Sequence, residues 1–345
     1  MRTTYALVLA AALCVGGCGV DKEKAILMAA GSYGDLAVVT SDDDLQPLAN
    51  RFLDAFTTRH VFVIKEEPAF KADVYGPGKW DLAKGYKNAL LIVVMGEGGP
   101  AEKAARSIVS KEGWQKLDTA GGGIVQVKDP WATYQQVVVV AGRDRGTLAS
   151  LLMREADKIR GIFESTGRER ILRRNRYDGL ASPLMTAYWD RLHFFMEFPD
   201  AYHQNQFEPD GFPGLELMRN GPSQGITVSW EEAADPEAWL VDHDVLAAMR
   251  QRMGAAMHGE EIMPESFTWS AAEIGGVACV KLEGAWTSNR FAGGGPFWCY
   301  FIPDPERHRI FCLDLLVYAP GMDKMDFFRR MDAIASTFAT TRPRA

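Results

Sequence analysis

Along the first half of the chain, short runs of apolar residues alternate with segments in which apolar residues recur at helical spacing. Leu45, Leu48 and Phe52 follow an acidic cluster at helical spacing, and Leu148 and Leu152 begin a similar stripe, so both segments are predicted helices. The apolar runs lie between polar turns and predict strands. These runs are 36–40, 61–64, 70–75, 89–95, 123–127 and 135–141.

The second half has more strands in direct succession. Strands are predicted at 192–198, 226–230, 277–286, 297–302 and 309–318, with helices at 242–257 and at 327–338. Strands joined by short turns pair antiparallel, and grouped elements indicate an α+β fold. We predict two domains, 31–178 and 183–340, each a mainly antiparallel sheet with helices packed on one face.

The N-terminal residues have the pattern of a bacterial lipoprotein leader. Arg2 precedes an apolar run, and Gly16-Gly17 stand directly before Cys18. The run is shorter than the ~20 residues of a membrane-spanning helix, while a plain secretory signal peptide is the alternative. We predict a signal peptide over 1–17, acylation of Cys18 (palmitate included) and a lipidated tether over 18–30. Gly19 stands where lipoproteins kept at the inner membrane often carry aspartate, so this resemblance favours the outer membrane, with the protein facing the periplasm.

Composition limits the classes of partner that this protein is expected to bind. Its 345 residues are 47% hydrophobic and 24% charged, a balance typical of globular proteins with real cores. The net charge of −7 argues against general nucleic-acid binding, which needs positive surface. The expected partners are therefore a membrane, through the lipid on Cys18, and a protein, glycan or lipid of the envelope.

Three cysteines remain once Cys14 leaves with the leader and Cys18 takes the lipid. Cys279, Cys299 and Cys312 lie in apolar, strand-like runs. The pattern favours buried free thiols, and one disulfide with one free thiol is the alternative that an envelope location permits.

Several motifs come near to known chemistry without matching it. Gly221-Pro222-Ser223-Gln224-Gly225 has the spacing of a nucleophile elbow, but a predicted loop precedes Ser223 and a strand follows it. The glycines at 96–99 lack the lysine of a phosphate-binding loop, and the six histidines show no metal-ligand spacing. We therefore predict no catalytic residue, no metal and no cofactor.

Two segments are candidates for binding. Trp286, Gly294, Gly295, Phe297 and Trp298 place aromatic rings beside a glycine loop, which suits stacking on sugar or peptide and equally suits fastening a hairpin to the core. The basic run over 168–176 is interpreted as a solvated helix paired with acids, with contact to anionic headgroups as the alternative.

A set of short motifs, in order along the chain, resembles one family. They are 67–70 (EPAF), 87–88 (KN), 131–135 (WATYQ), 284–286 (GAW), 294–297 (GGPF), 317–321 (VYAPG), and Arg330 with 333–334 (AI). The set resembles an uncharacterised bacterial lipoprotein family with a domain of unknown function, DUF4837. The resemblance implies an envelope location and a shared fold, and it implies no reaction.

Three hypotheses of function follow. The first is a non-catalytic envelope lipoprotein that binds or scaffolds a partner. The second is an envelope hydrolase of peptidoglycan or glycan, using acids such as Glu67 or Glu283 with pKa values raised by burial. The third is a lipid-carrying module, which requires a long apolar cavity between sheet and helices.

Overall fold

A computed structural model describes residues 28–62, 65–207, 213–290 and 292–341. The strands of the first domain are β1 (Asp35–Thr40), β2 (Arg59–Phe62), β3 (Lys65–Pro68), β4 (Lys71–Tyr75), β5 (Asn88–Val94), β6 (Gly122–Lys128) and β7 (Gln136–Gly142). Its helices are α1 (Gln46–Phe56), α2 (Pro100–Ile108), α3 (Lys111–Ala120), α4 (Arg145–Arg154) and α5 (Ala156–Asp178).

The second domain begins with a helix and ends with one. Its helices are α6 (Ser182–Leu192), α7 (His243–His258) and α8 (Met325–Ala335). Its strands are β8 (His203–Phe207), β9 (Gly214–Arg219), β10 (Ser223–Glu232), β11 (Glu260–Ile274), β12 (Val277–Ser288), β13 (Gly294–Asp304) and β14 (Arg309–Tyr318). The predicted α+β fold with two domains is confirmed.

The sheet of the first domain differs from the prediction in its strand directions. Its order is β4-β1-β5-β7-β6, and every pairing is parallel except that of β6 with β7. Every residue of β5 and β7 is buried, because α1, α4 and α5 cover one face while α2 and α3 cover the other. Continuous apolar strands of this kind are typical of parallel sheets with both faces covered.

The second domain has the predicted antiparallel sheet. Its seven strands are ordered β11-β12-β13-β14-β10-β9-β8. Helices α6 and α8 pack on one face, and α7 packs on the other with its methionines Met249, Met253 and Met257. The prediction of helices on only one face of each sheet is therefore wrong for both domains. In the second sheet, alternate residues of β13 and β14 are buried toward opposite faces.

Two local predictions also differ. Residues 192–198 form no regular strand, although Phe194, Met196 and Phe198 are buried there and Phe195 pairs with Ala339 through a single bridge. The polar stretch at the predicted boundary is helical as far as Asp178. A long polar helix is tolerated there because α5 packs along a narrow stripe rather than a broad apolar face.

The β2–β3 hairpin joins the two domains. It lies outside the five-stranded sheet, and β2 contacts β12 and β13 of the second domain. Directly opposed residues of an antiparallel pair share a face, so His60 and Glu67, which are opposed, both face the second domain. Helix α5 packs on α8 beside this hairpin, and together they enclose a space between the domains.

Candidate functional site

A cavity of about 250 Å³ lies between the two domains. One wall is helix α5 and the adjoining residues Thr58 and His60 of the first domain. The other wall comes from β12, β13 and α8 of the second domain. A larger groove of about 630 Å³ lies beyond Met325 and Arg329, which line both spaces. We call the smaller space the interdomain cavity.

Helix α5 supplies a regular stripe of side chains to this cavity. Arg160, Glu164, the adjacent pair Gly167 and Arg168, and Ile171 are each about one helical turn apart, so they lie on one side of the helix. Gly167 is buried, yet apart from its chain neighbours and the backbone of its own helix no atom lies within 4 Å of the position that a Cβ would occupy. A glycine in a helix interior costs roughly 1 kcal/mol relative to alanine. Here its missing side chain leaves space in the cavity.

The second domain contributes cations and hydroxyl groups. On β12 and β13, Lys281 is opposed to Tyr300, and both line the cavity. The Tyr300 hydroxyl donates to Oδ1 of Asp332 on α8, and Nη2 of Arg168 lies 3.2 Å from Oδ2 of the same carboxylate. Both oxygens of Asp332 are therefore engaged, and this carboxylate connects α5 to the second domain.

A partly buried ion cluster stands at the edge of the cavity. His60 Nδ1 lies 2.7 Å from Oε2 of Glu283, and Lys281 Nζ lies 2.7 Å from Oε1. Burial alone would raise the pKa of Glu283, but the hydrogen bond with His60 and the charge of Lys281 outweigh it and lower the pKa to about 2. Glu283 is thus a carboxylate that is ionised at neutral pH and joins the domains.

Glu67 has a different structural task. Its Oε2 accepts hydrogen bonds from the backbone N–H groups of Lys324, at 2.7 Å, and Met325, at 3.0 Å. These groups open helix α8, whose first residues have no side-chain cap of their own. Glu67 therefore caps a helix of the other domain, where a carboxylate is favourable. The predicted rise in the pKa of Glu283 is wrong. The carboxylate of Glu67 is already used as the cap of this helix.

The aromatic residues proposed for binding do not form one surface. Trp286 and Phe297 pack in the core under α7, while Gly294 and Gly295 lie in β13 beside the backbone of Trp286 and Val317. Trp298 is 4% exposed and points to the opposite face, where it lines the interdomain cavity. Its ring is covered by Lys281, 3.4 Å from the ring centroid, and by stacked Phe328. None of these rings is open for stacking.

The basic run of α5 is largely paired within the protein. Nε of Arg174 lies 2.7 Å from Asp178 and Nε of Arg176 lies 2.7 Å from Glu197. Arg170 is buried and donates to Oδ1 of Asn88. Burial lowers the pKa of Arg170 to about 10. This pattern agrees with the interpretation of a paired helix, with Arg168 also lining the cavity.

The remaining candidates are the cysteines, the possible metal ligands and Ser223. Cys279, Cys299 and Cys312 are free and buried, with 3.2 Å between the sulfurs of the last two. Within the described ranges, no group of three His, Cys, Asp or Glu side chains has a geometry that could hold a metal ion. Cys18 lies outside the described residues. Ser223 begins β10 rather than ending a strand, so it lacks the context of a nucleophile elbow.

Most cavity residues were not singled out by the sequence. Arg160, Lys281 and Arg329 stand in three separate segments with no motif around them. One usable signal was the glycine inside a helical stripe, since Gly167 replaces a better helix former between charged residues one turn apart.

The fold and the cavity define a two-domain α+β protein with a small polar cavity between its domains. Residues 189–337, in the second domain, match the model of a family described as domain of unknown function DUF4837. Residues 29–176 match a second model, domain of unknown function DUF8532. The predicted match to DUF4837 is confirmed for the second half of the chain and not for the first, and the lipoprotein status stays a prediction.

Comparison with other proteins adds little beyond this. No curated protein matches the chain. Similar solved structures include cyanobacterial PsbP from Synechocystis sp. PCC 6803, at 15% identity and a TM-score of 0.32, covering 43% of this chain and 86% of that one. LpqN of Mycobacterium tuberculosis, described as involved in cell envelope biogenesis, has 16% identity and a TM-score of 0.28, covering 42% and 81%.

In the parts of the chain that the structure describes, no helix combines the length and the apolar character needed to cross a membrane.

Proposed function

We propose that this protein is a non-catalytic lipoprotein of the cell envelope that binds a small ligand in the interdomain cavity. The observation that carries the proposal is the cavity itself, in which charged and apolar groups from both domains meet around open space. Small-molecule sites favour such positions between domains, with a few convergent polar groups.

Binding is favoured over hydrolysis by the state of the two acids considered for catalysis. A general acid needs a pKa near the operating pH, and Glu283 has one of about 2. Glu67 already accepts two backbone hydrogen bonds. Carriage of a long acyl chain is not favoured either, because the cavity is short and its walls carry several charges.

The proposed location of the protein rests on the N-terminal leader sequence. Cys18 would receive the lipid and hold the domains at the outer membrane, facing the periplasm, through a tether that enters the fold at Met28. Membrane fractionation of cells that express wild type and Cys18→Ser tests this. The wild type should sediment with membranes, and the variant should be released or retained as unprocessed precursor; equal, processed membrane association of both would exclude a lipid on Cys18.

Native mass spectrometry of protein purified from its own envelope tests the binding function. Wild type should carry a bound small molecule that Gly167→Leu, which fills the cavity, no longer retains. Gly161→Leu is the matched control, because Gly161 lies on the exposed side of the same helix with nothing near its Cβ position. Equal retention by both variants, or no bound mass in the wild type, would contradict the proposal.

A further inference from the structure

We infer that the interdomain cavity takes a small organic anion, in which one acidic group is joined to a compact apolar body, with about eight non-hydrogen atoms in all. This inference rests on the proposed function and specifies its ligand. It follows from the donors that line the cavity, from their remaining capacity, and from the size and floor of the space.

The lining offers many more donors than acceptors. Its basic side chains are Arg160, Arg168, Lys281 and Arg329, and its acidic ones are Glu164 and Asp332. Asp332 already accepts from Tyr300 and Arg168. The carboxylates that pair with Arg160, Lys281 and Arg329 are Asp157, Glu283 and Asp326, and none of these lines the cavity. A ligand inside it therefore meets the cations rather than their partners.

The cations keep unused donors. An arginine has five N–H donors and a lysine has three. Arg168 uses one nitrogen toward Asp332, and Lys281 forms one ion pair with Glu283 and lies over the ring of Trp298. Arg160 donates to the carbonyl of Phe56 and to Asp157. Since these bonds also fix the side chains in place, the free donors are already oriented, which reduces the entropy lost on binding.

The floor of the cavity is apolar and small. Phe163, Ile171 and Met325 line it and are at most 8% exposed. A volume of about 250 Å³ corresponds to roughly eight water molecules at ~30 Å³ each. This space suits a short-chain or single-ring acid, and it is too small to hold a whole nucleotide or a whole long acyl chain.

Glu164 makes the site sensitive to pH. No described group forms a hydrogen bond or ion pair with its carboxylate. Glu164 is exposed at its outer side, but desolvation where it borders the cavity raises its pKa against the attraction of Arg160 and Arg329. An anion nearby raises it further, so anion binding should take up a proton and should tighten as the pH falls. The other charged or titratable groups that line the cavity around Glu164 are Asp332, Arg168, Lys281, His60, Tyr33 and Tyr300.

An isosteric series of probes tests the ligand class. Hexanoate, hexanol and hexylamine have the same apolar body with negative, neutral and positive heads, and their binding to the purified protein is followed by ligand-observed NMR titration. Hexanoate should bind with a Kd of about 1 mM or tighter, at least tenfold below the Kd of the other two. Arg168→Gln should weaken it about tenfold, and Gly167→Leu should abolish it while Gly161→Leu does not.

The pH arm uses hexanesulfonate, which stays ionised throughout. Its affinity should rise between pH 7 and pH 5 in wild type. Glu164→Gln should bind hexanesulfonate more tightly than wild type at pH 7 and should lose most of the pH dependence. If the pH dependence came from His60 instead, it would be unchanged in Glu164→Gln, and that result would overturn the role of Glu164.

Tighter binding of hexylamine or hexanol would overturn the ligand class and leave the cavity as a binding site. Failure of all three probes would overturn the present inference, while the retained mass in native spectra still judges the proposed function separately.

Discussion

Glu67 fastens the first domain to helix α8 of the second, and its removal should destabilise the whole chain. The side chain is 3% exposed, and one oxygen, Oε2, accepts from the backbone N–H groups of Lys324 and Met325. In Glu67→Ala both donors lose their partner at the first turn of a helix, where a negative charge is most favourable.

The magnitude follows from these two contacts. A hydrogen bond to a charged group contributes about 1.5–3 kcal/mol, and the carboxylate gains roughly 0.3–1 kcal/mol more from the helix dipole. Part of this is offset, because the variant no longer buries a charge. We expect Glu67→Ala to lower the free energy of unfolding by about 3 kcal/mol. Glu67→Gln keeps one acceptor oxygen, so about half of that loss should remain.

The assay is urea unfolding at pH 7, followed by tryptophan fluorescence and far-UV circular dichroism. Glu66→Ala is the control, because Glu66 is the exposed neighbour on the same strand and should change stability by less than about 0.5 kcal/mol. The two probes should give separate transitions in Glu67→Ala if the loosened domains unfold independently. A midpoint for Glu67→Ala equal to that of Glu66→Ala would refute the cap.

Three further predictions concern stability and reactivity. The pKa of Glu283 falls from 4.5 to about 2 on folding, so its ionised form adds roughly 3 kcal/mol to the free energy of unfolding above pH 4.5, and this is lost as the pH falls toward 2. In urea unfolding, Glu283→Gln should be less stable than wild type at pH 7 and should lose less stability in acid. Parallel curves of stability against pH for the two proteins would contradict this. Arg250 is fully buried against Glu260 and Asp314, so Arg250→Met should cost about 3–5 kcal/mol at pH 7. Burial raises the pKa of Asp314 to about 6, so this cost should shrink in more acidic solution, and a pH-independent cost would count against it. Burial also raises the pKa of Cys279 to about 12, so an aromatic disulfide reagent should leave the native thiols unmodified and label them only after unfolding; rapid native labelling would show that they are accessible.

Periodicity predicted most helices and strands of this fold. The amphipathic repeat of α1 and the apolar runs of β5, β7 and β14 follow from side chains that must leave water on one or both faces. The error in the first domain was one of direction, since a local pattern does not state which strand pairs with which. The uninterrupted burial of β5 and β7 was the available sign of a parallel sheet.

The candidate site was largely beyond the sequence. Arg168 was interpreted as one of several solvated arginines, and Trp298 as part of an aromatic surface. In the structure both line the interdomain cavity, one bonded to Asp332 and the other covered by Lys281 and Phe328. Charge and aromatic content are visible in a sequence, whereas the partner that neutralises or covers a side chain is not.

The sequence by itself determined the local elements, the two-domain α+β class and the family of the second domain, because these depend on nearby side chains and on ordered motifs. The tertiary structure decided the strand directions, the cap that Glu67 places on α8 and the cavity between the domains. Such features bring together groups far apart in the chain, as Ser32 and Asp326 do across 294 positions. Their contacts depend on long-range packing, which no short stretch of residues encodes.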